Sequence, residues 1–276
     1  MLDAPAPLRL WHLASLDAPT VAVVWALAFA WAGKVRLPPW VLVLLALVTW
    51  TVYIADRLLD ARNGFRTGAI HRLRERHLFH HRHRRILGPL AMASACVAAW
   101  IVVALMPPAA LERNSVLAAA AVAYFSGVHT RRKLPKLLAQ FLSKEFLVGV
   151  LFTTGCVLPA LSRFVASPGS LLGPLSAAAA CFAALAWLNC SLIERWESAC
   201  EVRQVSAAAL GLILAGLLFA MILVWIEPRA AALVASGILS ALLLALLDRT
   251  RNRVTPLALR TAADLVLLCP VILLCR

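Results

Sequence analysis

Charged residues are scarce in this sequence, and acidic residues are the scarcest. Of the 276 residues 14% are charged and 62% are hydrophobic, and only 13 are Asp or Glu. The mean hydropathy is +0.85, which is far more apolar than a soluble domain of this length requires. The composition therefore excludes an ordinary soluble domain and predicts an integral membrane protein.

Further absences narrow the class of membrane protein. The polar-apolar alternation with a period of two, which a membrane β-barrel needs, is missing from the sequence. The N-terminus lacks a basic start followed by an apolar core and a cleavage site, so we expect no cleavable signal. The seven cysteines lie in apolar segments without a CxxC pair, which favours buried thiols over disulfides or zinc ligands. A helical bundle is the architecture that is left.

Apolar runs of about 20 residues, the length at which a helix crosses a hydrocarbon core of about 30 Å, recur along the chain. They predict an all-α, polytopic membrane bundle of about nine transmembrane helices. We expect a single membrane domain over 1–276, with an N-terminal arm at 1–17 and a basic cytoplasmic loop at 61–85. The expected spans are 18–33, 38–59, 86–107, 109–128, 144–161, 170–193, 205–226, 229–248 and 260–275.

Basic residues predict the orientation of this bundle. Of the 27 Lys and Arg residues, 21 fall at the N-terminus or in the connections after the second, fourth, sixth and eighth spans. Because cytoplasmic connections retain positive charge, we expect the N-terminus and the active site to face the cytoplasm of a bacterial cell. The net charge of +14 lies in short connections, which favours anionic lipid or an anionic substrate over nucleic acid.

The few acids gather at the ends of two spans. Asp56 and Asp60 lie at the end of the second span, and Glu194, Glu197 and Glu201 lie at the end of the sixth, both beside basic connections. Two carboxylates four residues apart on a helix repel each other unless a cation lies between them. Mg²⁺ binds one or two carboxylates together with water and substrate phosphates, so the basic surroundings indicate a diphosphate ligand. Solvation or pairing with a nearby arginine is the simpler alternative for any single acid.

Three short regions resemble the UbiA superfamily of intramembrane prenyltransferases, of which the chain would be a divergent member. VYIADRLLD, residues 52–60, keeps Asp56, Arg57 and Asp60 of the family's N-D-x-x-D-R-x-x-D motif. In NCSLIERWESACE, Asn189 and Glu197 match the ends of a looser second motif, and Glu194 is displaced by one position. A third region resembles the family through Tyr124, Arg132, Lys133, Lys144, Glu145, Gly149 and Gly155.

This resemblance implies Mg²⁺-dependent transfer of a polyprenyl group from a polyprenyl diphosphate to a small acceptor, typically aromatic. The implied catalytic carboxylates are Asp56, Asp60 and Glu197. Asp56 and Asp60 would hold one Mg²⁺, and Asn189 and Glu197, with Glu194 as a further candidate, would hold a second. The implied substrate-binding residues are Arg57, Tyr124, Arg132, Lys133 and Lys144.

Ordinary roles are open for several of these residues. Arg57 could pair with Asp60 one turn along the helix, Lys133 could serve as topology charge, and Tyr124 could be an interfacial anchor. A non-catalytic or transport-type protein of the same fold, which binds a prenyl or other anionic lipid, is the alternative function. That alternative gives weight to Asp264, inside the last span, although a local pair with Arg260 would explain this acid.

The run HLFHH, residues 77–81, matches the histidine box of membrane di-iron enzymes. Such sites need about eight imidazoles from several boxes, whereas the chain has seven histidines. His12, His71 and His129 stand isolated in the sequence, so no second box can be assembled from them. We therefore expect a basic segment that lies against anionic head groups.

Overall fold

Helices make up almost all of the chain that the structure describes. The structure is a computed structural model that describes residues 3–68, 73–129, 144–163, 171–198 and 204–275. No β-strand occurs in these ranges, which confirms the all-α class. The helices are α1 (Ala6–Leu13), α2 (Asp17–Ala32), α3 (Pro39–Arg66), α4 (Glu75–Arg82), α5 (Arg84–Leu105), α6 (Pro108–His129), α7 (Lys144–Leu161), α8 (Leu172–Ser198), α9 (Gln204–Ile226), α10 (Pro228–Thr250), α11 (Pro256–Val266) and α12 (Val271–Leu274), with a 3₁₀ turn at Arg251–Arg253.

Six segments within the described ranges are long and apolar enough to cross a membrane. They are α3, α5, α8, α9, α10 and the continuous stretch of α11 and α12. A seventh results if α1 and α2, which meet at 87°, form one broken span. These helices are consistent with a multi-pass membrane protein, but the predicted count of nine is not confirmed. Helices α6 and α7 are not among these six. The charged residues Glu112 and Arg113 interrupt the apolar sequence near the start of α6, and the apolar part of α7 is short.

Helix α2 lies at the centre of the apolar core. Trp25 and Phe29 of this helix are almost fully buried, and the Trp25 ring stacks on Phe182 of α8 with 3.7 Å between ring centroids. The indole Nε1 of Trp25 donates to the carbonyl of Leu267, at 2.8 Å. That bond satisfies a backbone group at the break between α11 and α12, where an apolar environment offers no water. The core thus fixes α2 against α8 and the last span.

Several short segments assemble at one end of the bundle. Helix α4 packs against α3 and α5, and α1 packs against α4 and α11. Trp50 of α3 donates its indole N–H to the carbonyl of Ala14, at 2.9 Å, and so holds the turn after α1. The N-terminal arm and the basic loop are therefore largely helical where they are described. We call this region the polar end; it comprises residues 9–17, 53–60, 74–83, 194–197 and 260–264.

Helices α7 and α8 approach closely at Gly149. A Cβ added there would lie 3.0 Å from the backbone nitrogen of Trp187 and 3.1 Å from the carbonyl oxygen of Ala183. Gly149→Ala is expected to lower the free energy of unfolding by about 1–3 kcal/mol, because helix backbone cannot move aside as a flexible side chain would. Gly155→Ala on the same helix is the matched control, since its Cβ would be 4.0 Å from the nearest atom, in Leu45. Equal losses for the two variants in detergent unfolding would contradict this packing.

Candidate functional site

The two acids of α3 lie near its C-terminal end, one turn apart. The carboxylate of Asp56 is 3.3 Å from the guanidinium of Arg57, and that of Asp60 is 3.9 Å from Nε2 of His77. Their side chains are 26% and 42% exposed, so both reach the surface of the polar end. Arg57 thus forms an ion pair with its sequence neighbour Asp56, whereas a pair with Asp60 was the ordinary role that the sequence left open. Its guanidinium also lies 5.6 Å from the centroid of the Tyr53 ring.

Glu197, at the end of α8, is surrounded by arginines. Its Oε1 is 3.2 Å from Nη1 of Arg76 and also contacts Nη1 of Arg260. Arg74 donates to the backbone carbonyl of Glu197. Arg76 of α4 and Arg260 of α11 thus meet at the carboxylate of Glu197, and Arg74, just before α4, binds its backbone carbonyl.

Helix α4 connects the two acidic regions. Its neighbouring residues Arg76 and His77 contact Glu197 of α8 and Asp60 of α3, respectively. The ends of α3 and α8 therefore lie at the same end of the bundle, on either side of α4. Both acidic groups share one basic environment, which is the arrangement expected from their positions in the sequence.

The remaining predicted site residues lie elsewhere on α8 or outside the described part of the chain. Asn189 is buried two turns before Glu197 on α8, and no hydrogen-bond partner for its Oδ1 occurs among the described residues. Glu194 is exposed. Arg132 and Lys133 lie outside the described residues, as do the side chains of Tyr124 and Lys144.

The predicted Mg²⁺ ligands differ in what surrounds them. Asp56 and Asp60 lie one helical turn apart with part of each side chain exposed, and hard oxygen ligands are those that Mg²⁺ takes. Arg57 and His77 lie beside these two acids, and guanidinium groups of Arg76 and Arg260 contact Oε1 of Glu197. A cation bound through that oxygen would have to displace both arginines, and the second Mg²⁺ at Asn189 and Glu197 stays a prediction.

The polar end also contains a buried polar cluster that the sequence does not predict. The Nδ1 of His12 lies 2.7 Å from Oδ2 of Asp17 and 3.4 Å from Oδ2 of Asp264. The predicted partner of Asp264, Arg260, instead forms its ion pair with Glu197. His12, which stands isolated in the sequence, is thus in contact with two acids. The rarity of acids in the chain was the only sequence signal that singled out Asp264.

His80 of α4 is buried beside this cluster as a neutral imidazole. Its Nδ1 lies 2.7 Å from the carbonyl oxygen of Arg76, which can only accept, so Nδ1 carries the proton. Its Nε2 accepts from the hydroxyl of Ser15 at 3.3 Å. Burial lowers the pKa of His80 to about 4, and the nearby cation of Arg57 acts in the same direction. Neutral His80 thus joins α4 to the turn after α1.

The stability of the protein is expected to fall between pH 6.5 and pH 4 in a manner that depends on His80. In this window the unfolded state binds the proton and the folded state does not, so the contribution of His80 is full above pH 6.5 and declines below it. The full decline is roughly 3 kcal/mol. His80→Gln should flatten the decline of the unfolding midpoint with pH. The matched control is His81→Gln, because the ring of His81 is partly exposed and stacks on Phe65. This variant should keep the wild-type dependence of the unfolding midpoint on pH. Equal pH dependence for wild type and both variants would contradict the role of His80.

Comparison with known proteins adds no family to these observations. No protein-family model matches the sequence, and neither a curated protein nor a solved structure matches the chain. The features of the polar end that bear on function are two partly exposed carboxylates, a cluster of arginines and the apolar bundle behind them.

Proposed function

We propose that this protein is a Mg²⁺-dependent prenyltransferase of the UbiA type, which works within a membrane. It transfers a polyprenyl group from a polyprenyl diphosphate to a small acceptor, of which an aromatic ring is the favoured kind. The observation that carries the proposal is the junction at α4, where Asp60 of α3 and Glu197 of α8 contact adjacent residues. Acids and arginines together at one end of an apolar bundle suit a lipid with a diphosphate head.

The proposed topology has nine membrane crossings, with α6 and α7 as spans additional to the long apolar helices. An odd number of crossings puts the N-terminus and the C-terminus on opposite sides. The bias of 21 of 27 basic residues towards one side favours a cytoplasmic polar end. The protein would then reside in a bacterial cytoplasmic membrane and take its charged substrate from the cytoplasmic leaflet.

The reaction breaks an allylic C–O bond, whose electron pair leaves with the diphosphate, and forms a new bond from the allylic carbon to the acceptor, which loses a proton. Magnesium, when bound at Asp56 and Asp60, would supply positive charge against the leaving diphosphate. Arg57 lies beside Asp56, and Arg76 lies beside Glu197. Both guanidinium groups can bind oxygens of the leaving diphosphate. The apolar helices behind them exclude water from the reacting carbon.

Glu197 has a positioning role in this scheme. It contacts Arg76 and Arg260, and Arg74 donates to its backbone carbonyl. Without a carboxylate at their centre these cations would repel one another and turn away. Glu197 thereby keeps guanidinium groups near the end of α3, where the diphosphate would bind. The basic segment at 130–143, with Arg132 and Lys133, is assigned to the same ligand from its sequence alone.

A second candidate function is binding of an anionic prenyl lipid without chemistry. The specific observation in its favour is that two arginines contact Oε1 of Glu197, so a metal bound through that oxygen would have to displace them. A carrier or scaffold needs the cations and the apolar bundle but no second carboxylate. Both candidates therefore predict binding, and only the transferase predicts turnover.

The experiment that tests the proposal uses purified protein in proteoliposomes with Mg²⁺. Labelled prenyl diphosphates of several chain lengths are supplied together with a panel of small aromatic acceptors. The transferase predicts saturable binding, release of inorganic diphosphate and a labelled apolar product, all lost when EDTA removes the metal. Binding without product in every combination would overturn the transferase in favour of the carrier. Absence of binding would overturn both.

A further inference from the structure

Three polar side chains from three separate helices meet in the buried part of the polar end. They are His12 of α1, Asp17 in the first turn of α2 and Asp264 of α11. One ligand atom of each, an imidazole nitrogen or a carboxylate oxygen, lies within 4.8 Å of those of the other two. His12 and Asp17 are only 3% and 6% exposed, and the side chain of Asp264 is 17% exposed. Such a group is not an ordinary solvated set of surface acids.

The backbone around the cluster holds these residues in place. Helices α1 and α2 meet at 87°, and the indole of Trp11 donates to the hydroxyl of Thr20 across the bend, at 3.1 Å. The turn passes through Ser15, whose φ of 55° is unusual for a residue with a side chain. This sharp bend brings His12 against Asp17, although five positions along a straight helix would put them on nearly opposite faces.

The two carboxylates present oxygens to one point. Oδ1 of Asp17 accepts the backbone N–H of Ala18, at 2.9 Å, and its Oδ2 faces His12. The first turn of a helix also stabilises a negative side chain such as Asp17. Asp264 approaches His12 from α11 with its Oδ2. One oxygen from each acid and one imidazole nitrogen are therefore available together.

The histidine itself points to a ligand. The ring of His12 is buried, and its Nδ1 lies in ion-pair range of both acids without the alignment of a regular hydrogen bond. Its Nε2 has no hydrogen-bond partner among the described residues, which is energetically unfavourable for a buried polar atom. The Nδ1 lies between two carboxylate oxygens, at 2.7 and 3.4 Å. In tetrahedral zinc sites with bonds of about 2.0–2.1 Å, ligand atoms lie roughly 3.3 Å apart. The contact with Asp264 already has this spacing, and Asp17 would have to move back from His12 by roughly 0.6 Å.

Charge balance is compatible with the same conclusion. Asp17 and Asp264 bring two negative charges into a buried region, and two such acids cannot both ionise there without compensation. The nearest arginine of α11, Arg260, forms its ion pair with Glu197. A divalent cation bound to the two carboxylates and neutral His12 would leave this cluster with no net charge.

We propose that His12, Asp17 and Asp264 bind a divalent transition-metal cation. One imidazole and two carboxylates are the ligand types of Zn²⁺, and three protein ligands leave a fourth position for water. This site uses different residues from the Mg²⁺ assigned to Asp56 and Asp60, and it does not rest on the proposed transferase activity. The metal would connect α1, α2 and α11 across the polar end.

Metal content of the purified protein tests this site directly. The protein is prepared in detergent without a histidine tag, equilibrated with micromolar ZnSO₄, freed of loose metal by dialysis and measured by mass spectrometry. About one zinc per chain is expected for wild type, with a loss of more than tenfold in His12→Ala and in Asp264→Asn. The His81→Ala/His83→Ala variant, which removes two imidazoles of the basic segment, should retain its zinc. Zinc well below one per chain in wild type, or unchanged in His12→Ala, would overturn the proposal.

X-ray absorption at the zinc edge provides a second test that needs no folded variant. The wild-type protein should show oxygen and nitrogen ligands near 2.0 Å with the scattering of a single imidazole. Two or more imidazoles would assign the zinc to the histidine-rich segment, and sulfur ligands would assign it to cysteines. Either result would overturn the site. A triad held only by hydrogen bonds and a shared proton would bind no zinc in the first experiment.

Discussion

The Asp56→Asn/Asp60→Asn variant is expected to lose prenyl transfer by a factor of about 10²–10³ or more. Both carboxylates lie one turn apart at the accessible end of α3. Asparagine keeps their size but removes the charges that would hold Mg²⁺ against the departing diphosphate. Loss of one preorganised electrostatic partner of a developing charge typically costs that factor in rate. The measurement is the initial rate of labelled product formation in proteoliposomes at saturating Mg²⁺.

The matched control for this variant is Glu75→Gln. Glu75 also lies at the polar end, where it pairs with Arg9, and its side chain is 47% exposed. Its ion pair in the described part of the chain is with Arg9, which is assigned neither to substrate nor to metal, so the rate of this variant should stay within about twofold of wild type, as for surface changes generally. A double variant that transfers prenyl groups at the wild-type rate would show that Asp56 and Asp60 do not bind the essential metal.

Glu197→Gln is expected to destabilise the folded protein by about 3 kcal/mol. The carboxylate contacts the guanidinium groups of Arg76 and Arg260 and is 26% exposed. Its neutralisation leaves partly buried cations that repel each other, and breaking one side of a buried ion pair generally has a cost of this size. For a chain of this length the loss corresponds to a fall of roughly 5–10 °C in the unfolding midpoint.

A double-mutant cycle separates this ion pair from general damage to α8. Removing one of the crowded cations by Arg260→Met should restore part of the stability lost in Glu197→Gln, so the effects of the two changes are not additive. Glu194→Gln, which lies one turn earlier on α8 and is exposed, should change the stability by less than about 0.5 kcal/mol. Strict additivity of the Glu197 and Arg260 changes would contradict the contact.

Apolar runs in the sequence locate the long helices well but mark the wrong boundary at the polar end. The predicted span 205–226 corresponds to Gln204–Ile226, because both its apolar residues and the following Pro228 define the helix. The predicted span 38–59 instead continues as helix to Arg66. Beyond Asp60 the residues are polar, but Ala61 is buried and Gly64 lies against Leu73. Hydropathy shows where a helix leaves apolar surroundings, whereas tertiary packing determines where it ends.

The contacts of the candidate site depend on packing that no local pattern contains. The acids Asp56 and Asp60 can be found from their spacing, which is a property of one helix. The partners of Glu197 lie 121 residues before it, at Arg76, and 63 residues after it, at Arg260. The sequence has many arginines, so it indicates a basic environment without specifying which arginine meets which acid.

The contacts of His12 with Asp17 and Asp264 could not be predicted for a second reason, which is the bend between α1 and α2. A regular helix through His12 and Asp17 would separate their side chains by about 140° around its axis. The bend at Ser15 reverses that conclusion, and it is stabilised by contacts to Trp50 and His80 from distant helices. The predicted boundary between the arm at 1–17 and the span at 18–33 lies next to this turn, but the sequence does not specify the 87° angle between α1 and α2.

The most direct test of the central claim is whether a metal at Asp56 and Asp60 contacts a phosphate of a prenyl lipid. Mn²⁺ replaces Mg²⁺, a non-reactive prenyl thiolodiphosphate is added, and electron–nuclear double resonance detects ³¹P coupled to the bound metal. The account predicts a ³¹P coupling in wild type and in Glu75→Gln that disappears in Asp56→Asn/Asp60→Asn. A wild-type spectrum without that coupling, or a coupling that survives in the double variant, would contradict it.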